Sequence, residues 1–368
     1  MNAITLSTTK PSVNDAVNDL KEQCGDFKPK MLLFFASSGY EPGSLAGAMK
    51  DAFGDLPVFG CTTAGEIGNG SLLKGSIVAM ALNDRIIEDL KVGVVRDLSN
   101  PEGIRTVFSE FESYYGQPMT ELDFTKYVGI ILIDGLSGAE ERTMDRIGDL
   151  TNLLFVGGSA GDDLRFASTY VFADGKAYTN AAVLALLKPA TEFDLIKTQS
   201  FIAMDTTLLP TKVNEEAREV LEFNGKPASV AYAEALGVSP DDLAAHFMQH
   251  PVGLLAGDDI FVRSPRQVSG ESVFFYCNVK EGVDLAVLES TDIVADTRAA
   301  VQEKLQKLGG ISALINFNCI LRTLDLEDRG LSAAYGSLFS DIPAIGFSTY
   351  GEEYIGHINQ TATMLVFH

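Results

Sequence analysis

A stretch of twelve residues occurs twice in this chain, and that repetition constrains the architecture more than any other feature. DLPVFGCTTAGE runs from Asp55 to Glu66 and DIPAIGFSTYGE from Asp341 to Glu352, at a constant offset of 286 residues with no gap. The Asp, the Pro, both glycines, one Thr and the closing Glu are identical, and Leu56/Ile342 and Thr62/Ser348 are conservative. Each copy is an apolar run that stops at Gly, presents hydroxyl side chains, turns at a second Gly and ends on a carboxylate. An apolar run bounded by Pro and Gly predicts a buried strand with its polar cluster at the carboxyl end. Ligands of α/β sheets gather at such ends, where backbone N–H groups and short side chains converge.

A fainter third copy, LLFVGGSAGDD, lies between them from Leu153 to Asp163. The flanks agree with the cores. MLLFFAS (Met31 to Ser37) precedes SLAGAMKDAF, YVGIILIDG (Tyr127 to Gly135) precedes EERTMDRIGDL, and ISALINFNC (Ile311 to Cys319) precedes GLSAAYGSLF. The repeated unit is therefore strand, helix, strand, polar Gly turn and return strand, and such self-similarity fixes the fold before any local reading does. GSIVAMAL (Gly75 to Leu82) is the first return strand, and STYVFADGKAYT predicts a hairpin around Asp174-Gly175.

Between the second and third copies the pattern changes near Lys188-Pro189. TKVNEEAREVLEFNGKPASVAYAEALG reads as a lead into helices, with DDLAAHFMQ (Asp241 to Gln249) as a further one. HPVGLLA, FVRSPRQV, SVFFYCNV and DLAVLE are successive short strand candidates, as in an antiparallel meander, and DIVADTRAAVQEKLQKLG (Asp292 to Gly309) is helical. The expected fold is α+β: a layered sandwich of mostly antiparallel sheets flanked by helices, built from repeated β-α-β-β units. At 368 residues the chain is expected to hold two domains, over 1–195 and 196–368.

Charge narrows the partners. With 50 acids against 28 bases the net charge is −22, which argues against nucleic acid and anionic membrane surfaces, since both demand concentrated Lys and Arg. No apolar run reaches the roughly 20 residues of a membrane span, and the opening MNAITLSTTKPSVND lacks the pattern of a secretory signal. Cys24, Cys61, Cys277 and Cys319 are scattered without a CxxC pair, which fits a reducing cytoplasm.

Taken together, FGCTTAGEI, IDGLSGAEE with VGGSAGDD, TKVNEEAREVLEFNGKPASVAYAEALG, MQHPVGL, NFNCILR and IGFSTYGEEYIG resemble the FIST sensory proteins, across about Met31 to Phe367. The closing pieces are similar to that family's Cys-x-x-Arg and Gly-x-x-x-Tyr-Gly-Glu signatures, here Cys319, Arg322, Gly346, Tyr350, Gly351 and Glu352. The resemblance implies a FIST N half, a FIST C half and a cytoplasmic small-molecule sensor working with a histidine kinase or a cyclic-dinucleotide enzyme. It also implies amino acids as ligands and, in one subgroup, haem that senses nitric oxide. Multidomain members carry an output domain that this chain lacks, so a separate partner would receive the signal.

Three chemistries follow from the residues. In the first, Cys61, Thr62, Thr63 and Glu66, with Ser159 and Asp162 and with Ser348, Thr349, Tyr350 and Glu352, line a polar pocket beside Cys319. Arg322 would clamp a ligand carboxylate there through its two-pronged fork, as an amino acid would require. The competing reading has these side chains satisfying their own turns. In the second, His250, and after it His246, is the candidate axial ligand of a haem, the two being spaced i, i+4 before Pro251. No HExxH or CxxC spacing accompanies them, so a zinc site is not expected. In the third, Cys61 at a strand end would be an enzymatic nucleophile, but Phe347 takes its place in the other copy, and the chain is not expected to be an enzyme. The glycines form no phosphate cradle, and Asp134 is expected to cap the helix that follows it.

Overall fold

The structure, a computed structural model, describes residues 2–257 and 259–368. The first copy of the unit runs β1 (Ala3–Thr8), α1 (Val13–Cys24), β2 (Met31–Ser37), α2 (Pro42–Phe53), β3 (Val58–Thr63), a hairpin of β4 (Glu66–Gly68) and β5 (Ser71–Leu73), and the return strand β6 (Ile77–Leu82). The second runs β7 (Ile87–Val95), α3 (Gly103–Tyr115), β8 (Val128–Ile133), α4 (Glu140–Leu150), β9 (Phe155–Ser159), a hairpin of β10 (Val171–Ala173) and β11 (Lys176–Tyr178), and β12 (Ala182–Pro189). The faint middle stretch is thus a full structural copy. The third opens with β13 (Phe193–Gln199) and is then interrupted.

The interruption contains β14 (Phe201–Leu208), β15 (Pro210–Asn214), β16 (Glu219–Phe223), β17 (Lys226–Pro227), α5 (Ala228–Leu236), β18 (Val252–Ala256), β19 (Asp259–Arg263), β20 (Pro265–Ser269), β21 (Ser272–Phe275) and β22 (Leu285–Ser290). The third copy then resumes with α6 (Ile293–Leu308), β23 (Ala313–Cys319), α7 (Ile320–Asp328), α8 (Ser332–Gly336), β24 (Ala344–Thr349), a hairpin of β25 (Glu352–Tyr354) and β26 (His357–Ile358), and β27 (Thr361–Phe367). The chain divides into two compact units. One holds Met1–Lys197, Arg298–His357 and Ala362–His368, and the other holds Thr198–Thr297 and Ile358–Thr361. The expected boundary at 195/196 falls in β13, and the remaining strands of the third copy lie beyond it in the first unit.

The first unit has three six-stranded sheets of one design: β1-β6-β2-β3-β10-β11, β7-β12-β8-β9-β25-β26 and β13-β27-β23-β24-β4-β5. Each has a single parallel pair, β2–β3, β8–β9 or β23–β24, and is otherwise antiparallel where register is defined. Each also borrows its last two strands from another copy. The hairpin of copy one completes the sheet of copy three, that of copy three completes the sheet of copy two, and that of copy two completes the sheet of copy one. The exchange is cyclic, so no copy closes its own sheet.

All three sheets share one apolar core. Met31, Leu33 and Phe35 of β2 enter it, whereas Leu32, Phe34 and Ala36 pack under α1 and α2. Burial on both faces explains why these strands read as continuous apolar runs rather than alternating ones. The Phe35 ring of the first sheet lies 4.5 Å from that of Phe347 in the third. The expected hairpin at Asp174-Gly175 forms, and both residues take the positive φ that a two-residue turn requires.

The second unit departs from the sequence reading. The stretch expected to lead into helices forms β15, β16 and β17, with α5 only from Ala228. Asn224-Gly225, both at positive φ, turn the chain so that Phe223 pairs Lys226, a hairpin signal that outweighs the helix-forming composition of NEEAREVLEF. DDLAAHFMQ shortens to a 3-10 turn, Leu243–His246. The meander is split between two sheets, β14-β22-β18-β19 and β15-β16-β21-β20. No helix among the described residues is long and apolar enough to cross a membrane.

Candidate functional site

The three polar turns meet. Ala64 N–H donates to the Ser348 carbonyl (3.2 Å) and Ser348 N–H to that of Gly65 (2.8 Å). Ser159 N–H donates to Gly351 (2.8 Å) and Tyr350 N–H to Ser159 (3.1 Å). Gly161 N–H donates to Thr62 (3.0 Å) and Asp163 N–H to Thr63 (3.2 Å), which closes the ring. Each turn therefore bonds both others at the carboxyl ends of the parallel strands. In the middle copy the packing leaves no room for a side chain at Gly161 or Gly158. A Cβ on Gly161 would lie 2.7 Å from Ala64 N, and one on Gly158 would lie 2.5 Å from Thr349 Cγ2.

The side chains repeat as the backbone does. Thr63 Oγ1 donates to Glu66, and at the same offset Thr349 Oγ1 donates to Glu352. Glu66 also accepts from Ser76 N–H (3.1 Å) and from its hydroxyl (2.5 Å). Thr62 Oγ1 accepts from Tyr170 N–H (2.9 Å). Ser348 Oγ lies 2.7 Å from Thr323 Oγ1, and Ser159 Oγ donates to Glu353 (3.3 Å). Asp162 accepts the N–H groups of Phe166, Ala167 and Ser168, and the Tyr350 hydroxyl. Burial works against that charge, but these donors outweigh it and hold the Asp162 carboxyl below its ordinary range. Tyr350 in turn stacks on Phe166 at 5.1 Å.

Burial pushes the Glu66 carboxyl up to about 7, despite the bonds from Ser76 and Thr63. A carboxyl raised in the folded state contributes stability below its unfolded pKa and loses it as pH rises through the folded value. The melting temperature is therefore expected to fall between pH 5 and 8. Glu66→Gln is expected to remove up to ~3 kcal/mol of that slope, as thermal melts across the range would measure.

Arg322, at the start of α7, is 2% exposed and heads the largest fully buried side chains. Its Nε donates to Asn318 Oδ1 (3.0 Å), and its guanidinium lies 5.9 Å from the Tyr335 ring centre. Asn318 is held by Tyr335 (2.9 Å) and bonds Thr323 (3.0 Å), which leads on to Ser348. Arg322 is thus tied by side chains to the third turn. Cys319 ends β23 opposite Thr349 and is buried.

Cys61 is fully enclosed in the central core between Phe35 and Val171. Burial pushes its thiol well up, the reverse of what a nucleophile needs. Asp134 does not cap α4. That helix starts behind Ala139 with no side-chain cap, and Asp134 instead accepts from Leu136 N–H (3.1 Å), Thr169 and Asn180 N–H. No group of three metal-binding side chains occurs among the described residues.

His246 and His250 belong to the second unit, the turn residues to the first. Their rings are 6.2 Å apart and half-buried. His250 Nδ1 lies 3.1 Å from the Leu288 carbonyl oxygen. That oxygen only accepts, so Nδ1 carries a proton, and in the neutral ring Nε2 then keeps its lone pair, the tautomer an axial ligand requires. In donor chemistry His250 fits a haem.

The sequence reading passed over one buried pair. His357 Nδ1 is 2.9 Å from Glu353 Oε1, both are buried, and Glu353 Oε2 has no hydrogen-bond partner among the described residues. Burial opposes the charged ring, yet the Glu353 carboxylate outweighs it and raises His357 to about 9. The doubled acid of YGEEYIGH was the signal available.

The ring of repeated turns carries the buried carboxylates of Glu66, Asp162 and Glu352, and the third copy adds a buried arginine, Arg322, and a buried histidine, His357. The FIST N domain family matches residues 30–226 and the FIST C domain family residues 228–354. The chain belongs to the FIST family, whose domains are associated with small-ligand sensing in signal transduction. It is also similar to Uncharacterized protein MJ1623 of Methanocaldococcus jannaschii, with 24% identity over 201 residues. That match covers 50% of this chain and 38% of the relative.

Proposed function

We propose that the protein binds a small zwitterion of amino-acid type at the third turn and reports occupancy to a separate signalling protein, a histidine kinase or a cyclic-dinucleotide enzyme. The observation that carries this reading is Arg322, a guanidinium enclosed at 2% exposure at the carboxyl end of a repeat strand. Its planar fork matches a carboxylate through two parallel bonds. In the same copy, the unpartnered Glu353 Oε2 supplies an acceptor for an ammonium group. Melting curves against the amino acids are expected to show a saturable rise of several degrees with one or a few of them. Arg322→Lys, which keeps the charge and loses the fork, is expected to abolish the rise. A shift unchanged in that variant would contradict the assignment.

A second reading rests on the fixed tautomer of His250. Protein expressed with haem precursor would then show a Soret band that shifts with nitric oxide and is lost in His250→Ala. Failure to reconstitute with haemin would eliminate this reading.

A further inference from the structure

A cleft of about 270 Å³ opens in the second copy between α3 and α4. Its apolar wall is Val95, Leu98 and Ile104, and its other side is Arg142, Thr143 and Arg146. The loop that borders it is set in advance. Asp97 accepts from the N–H (3.0 Å) and hydroxyl (2.6 Å) of Ser99, Asn100 Oδ1 accepts from Glu102 N–H (3.0 Å), and Leu98 N–H donates to Asn180 (3.1 Å).

The two arginines are unusual in a chain with a net charge of −22. Arg142 has no ion-pair or hydrogen-bond partner among the described residues. Arg146 Nε is buried without a hydrogen-bond partner. Its ion pairs with Glu102 and Asp149, at 3.7 and 3.9 Å, are too long for hydrogen bonds and reach carboxylates that are 61% and 71% exposed. Like charges at i, i+4 weaken a helix. The fold does not require them, because α2, the matching helix of the first copy, carries no arginine.

We infer that this cleft is a second ligand site and takes a short-chain organic carboxylate. The guanidinia supply the donors for the anionic head, including the buried Nε of Arg146 that no described residue satisfies. Val95, Leu98 and Ile104 receive an apolar body. The space equals roughly nine water volumes, enough for a branched five- or six-carbon acid and too small for a nucleotide. An inorganic anion would leave the apolar wall uncovered.

The test titrates the full chain with 4-methylpentanoate, with 4-methylpentan-1-ol as its neutral counterpart and with inorganic phosphate, by calorimetry and thermal melting. Saturable binding is expected for the acid alone, weakened at least tenfold by Arg142→Gln with Arg146→Gln. Should the double variant not fold, Arg142→Gln alone, at an exposed position, is expected to weaken binding several-fold. Arg322→Lys is expected to leave it intact, which separates this site from the zwitterion site. No binding at millimolar acid, equal affinity for phosphate, or undiminished affinity in the arginine variants would overturn the inference.

Discussion

Gly157→Ala is expected to cost about 3 kcal/mol or more. An ideal Cβ at Gly157 would stand 1.7 Å from the Ile131 carbonyl oxygen, its neighbour in the parallel pair β8–β9. That oxygen is backbone in a sheet interior, so it cannot swing aside as a side-chain terminus would. The sister positions are set the same way, with a Cβ on Gly60 at 2.0 Å from Phe34 O and one on Gly346 at 2.2 Å from Asn316 O. The same glycine in each copy is thus a requirement of the parallel pairing. As a control, Gly47 in α2 has nothing within 4 Å, and Gly47→Ala is expected to stabilise by about 0.5–1 kcal/mol. Urea unfolding midpoints of both variants measure the contrast. A cost below about 1 kcal/mol at Gly157 would mean that the strand register is wrong.

His357→Ala is expected to cost about 3–5 kcal/mol, because it strands the Glu353 carboxylate in the interior. The pH dependence is more diagnostic than the size. His357 is raised from 6.5 to about 9, so its stabilisation is complete below the ordinary histidine range and is lost as pH rises through 9. The loss is about 3 kcal/mol over that window. Denaturant titrations from pH 6 to 10 should show it in the wild type and not in His357→Gln. An imidazole resonance titrating near its ordinary value would contradict the pairing. The opposite slope holds at low pH, where Asp162 and Asp194, both held below their ordinary range, lose their donors as they are protonated.

The repeat was legible because the turn residues are dictated by contacts that each copy must make. Gly60, Gly157 and Gly346 lie against carbonyls, and Thr63–Glu66 and Thr349–Glu352 close the same bond. The middle copy looked faint for a physical reason. Ala160 stands where the others have Thr, so its acid, Asp163, bonds Ser37 and Ser38 of the first copy instead. The exchange of hairpins was not legible. Strands as short as Glu66–Gly68 carry no local sign of which sheet they join. The polar side chains of the turns were recognised, but sequence could not tell that many of them bond one another. The Glu353–His357 pair went unread because its spacing resembles a helix, whereas the two residues sit on either side of a hairpin tip.

Three copies are locked into one body by a ring of backbone hydrogen bonds between their turns. Native-state amide hydrogen exchange at Ala64, Ser159, Gly161, Ser348 and Tyr350 tests it most directly, since each of these N–H groups donates across a boundary between copies. The five amides are expected to exchange only through a shared opening, with one free energy close to that of unfolding the first unit. Separate, fast exchange of any one turn, with the other two still protected, would contradict the account.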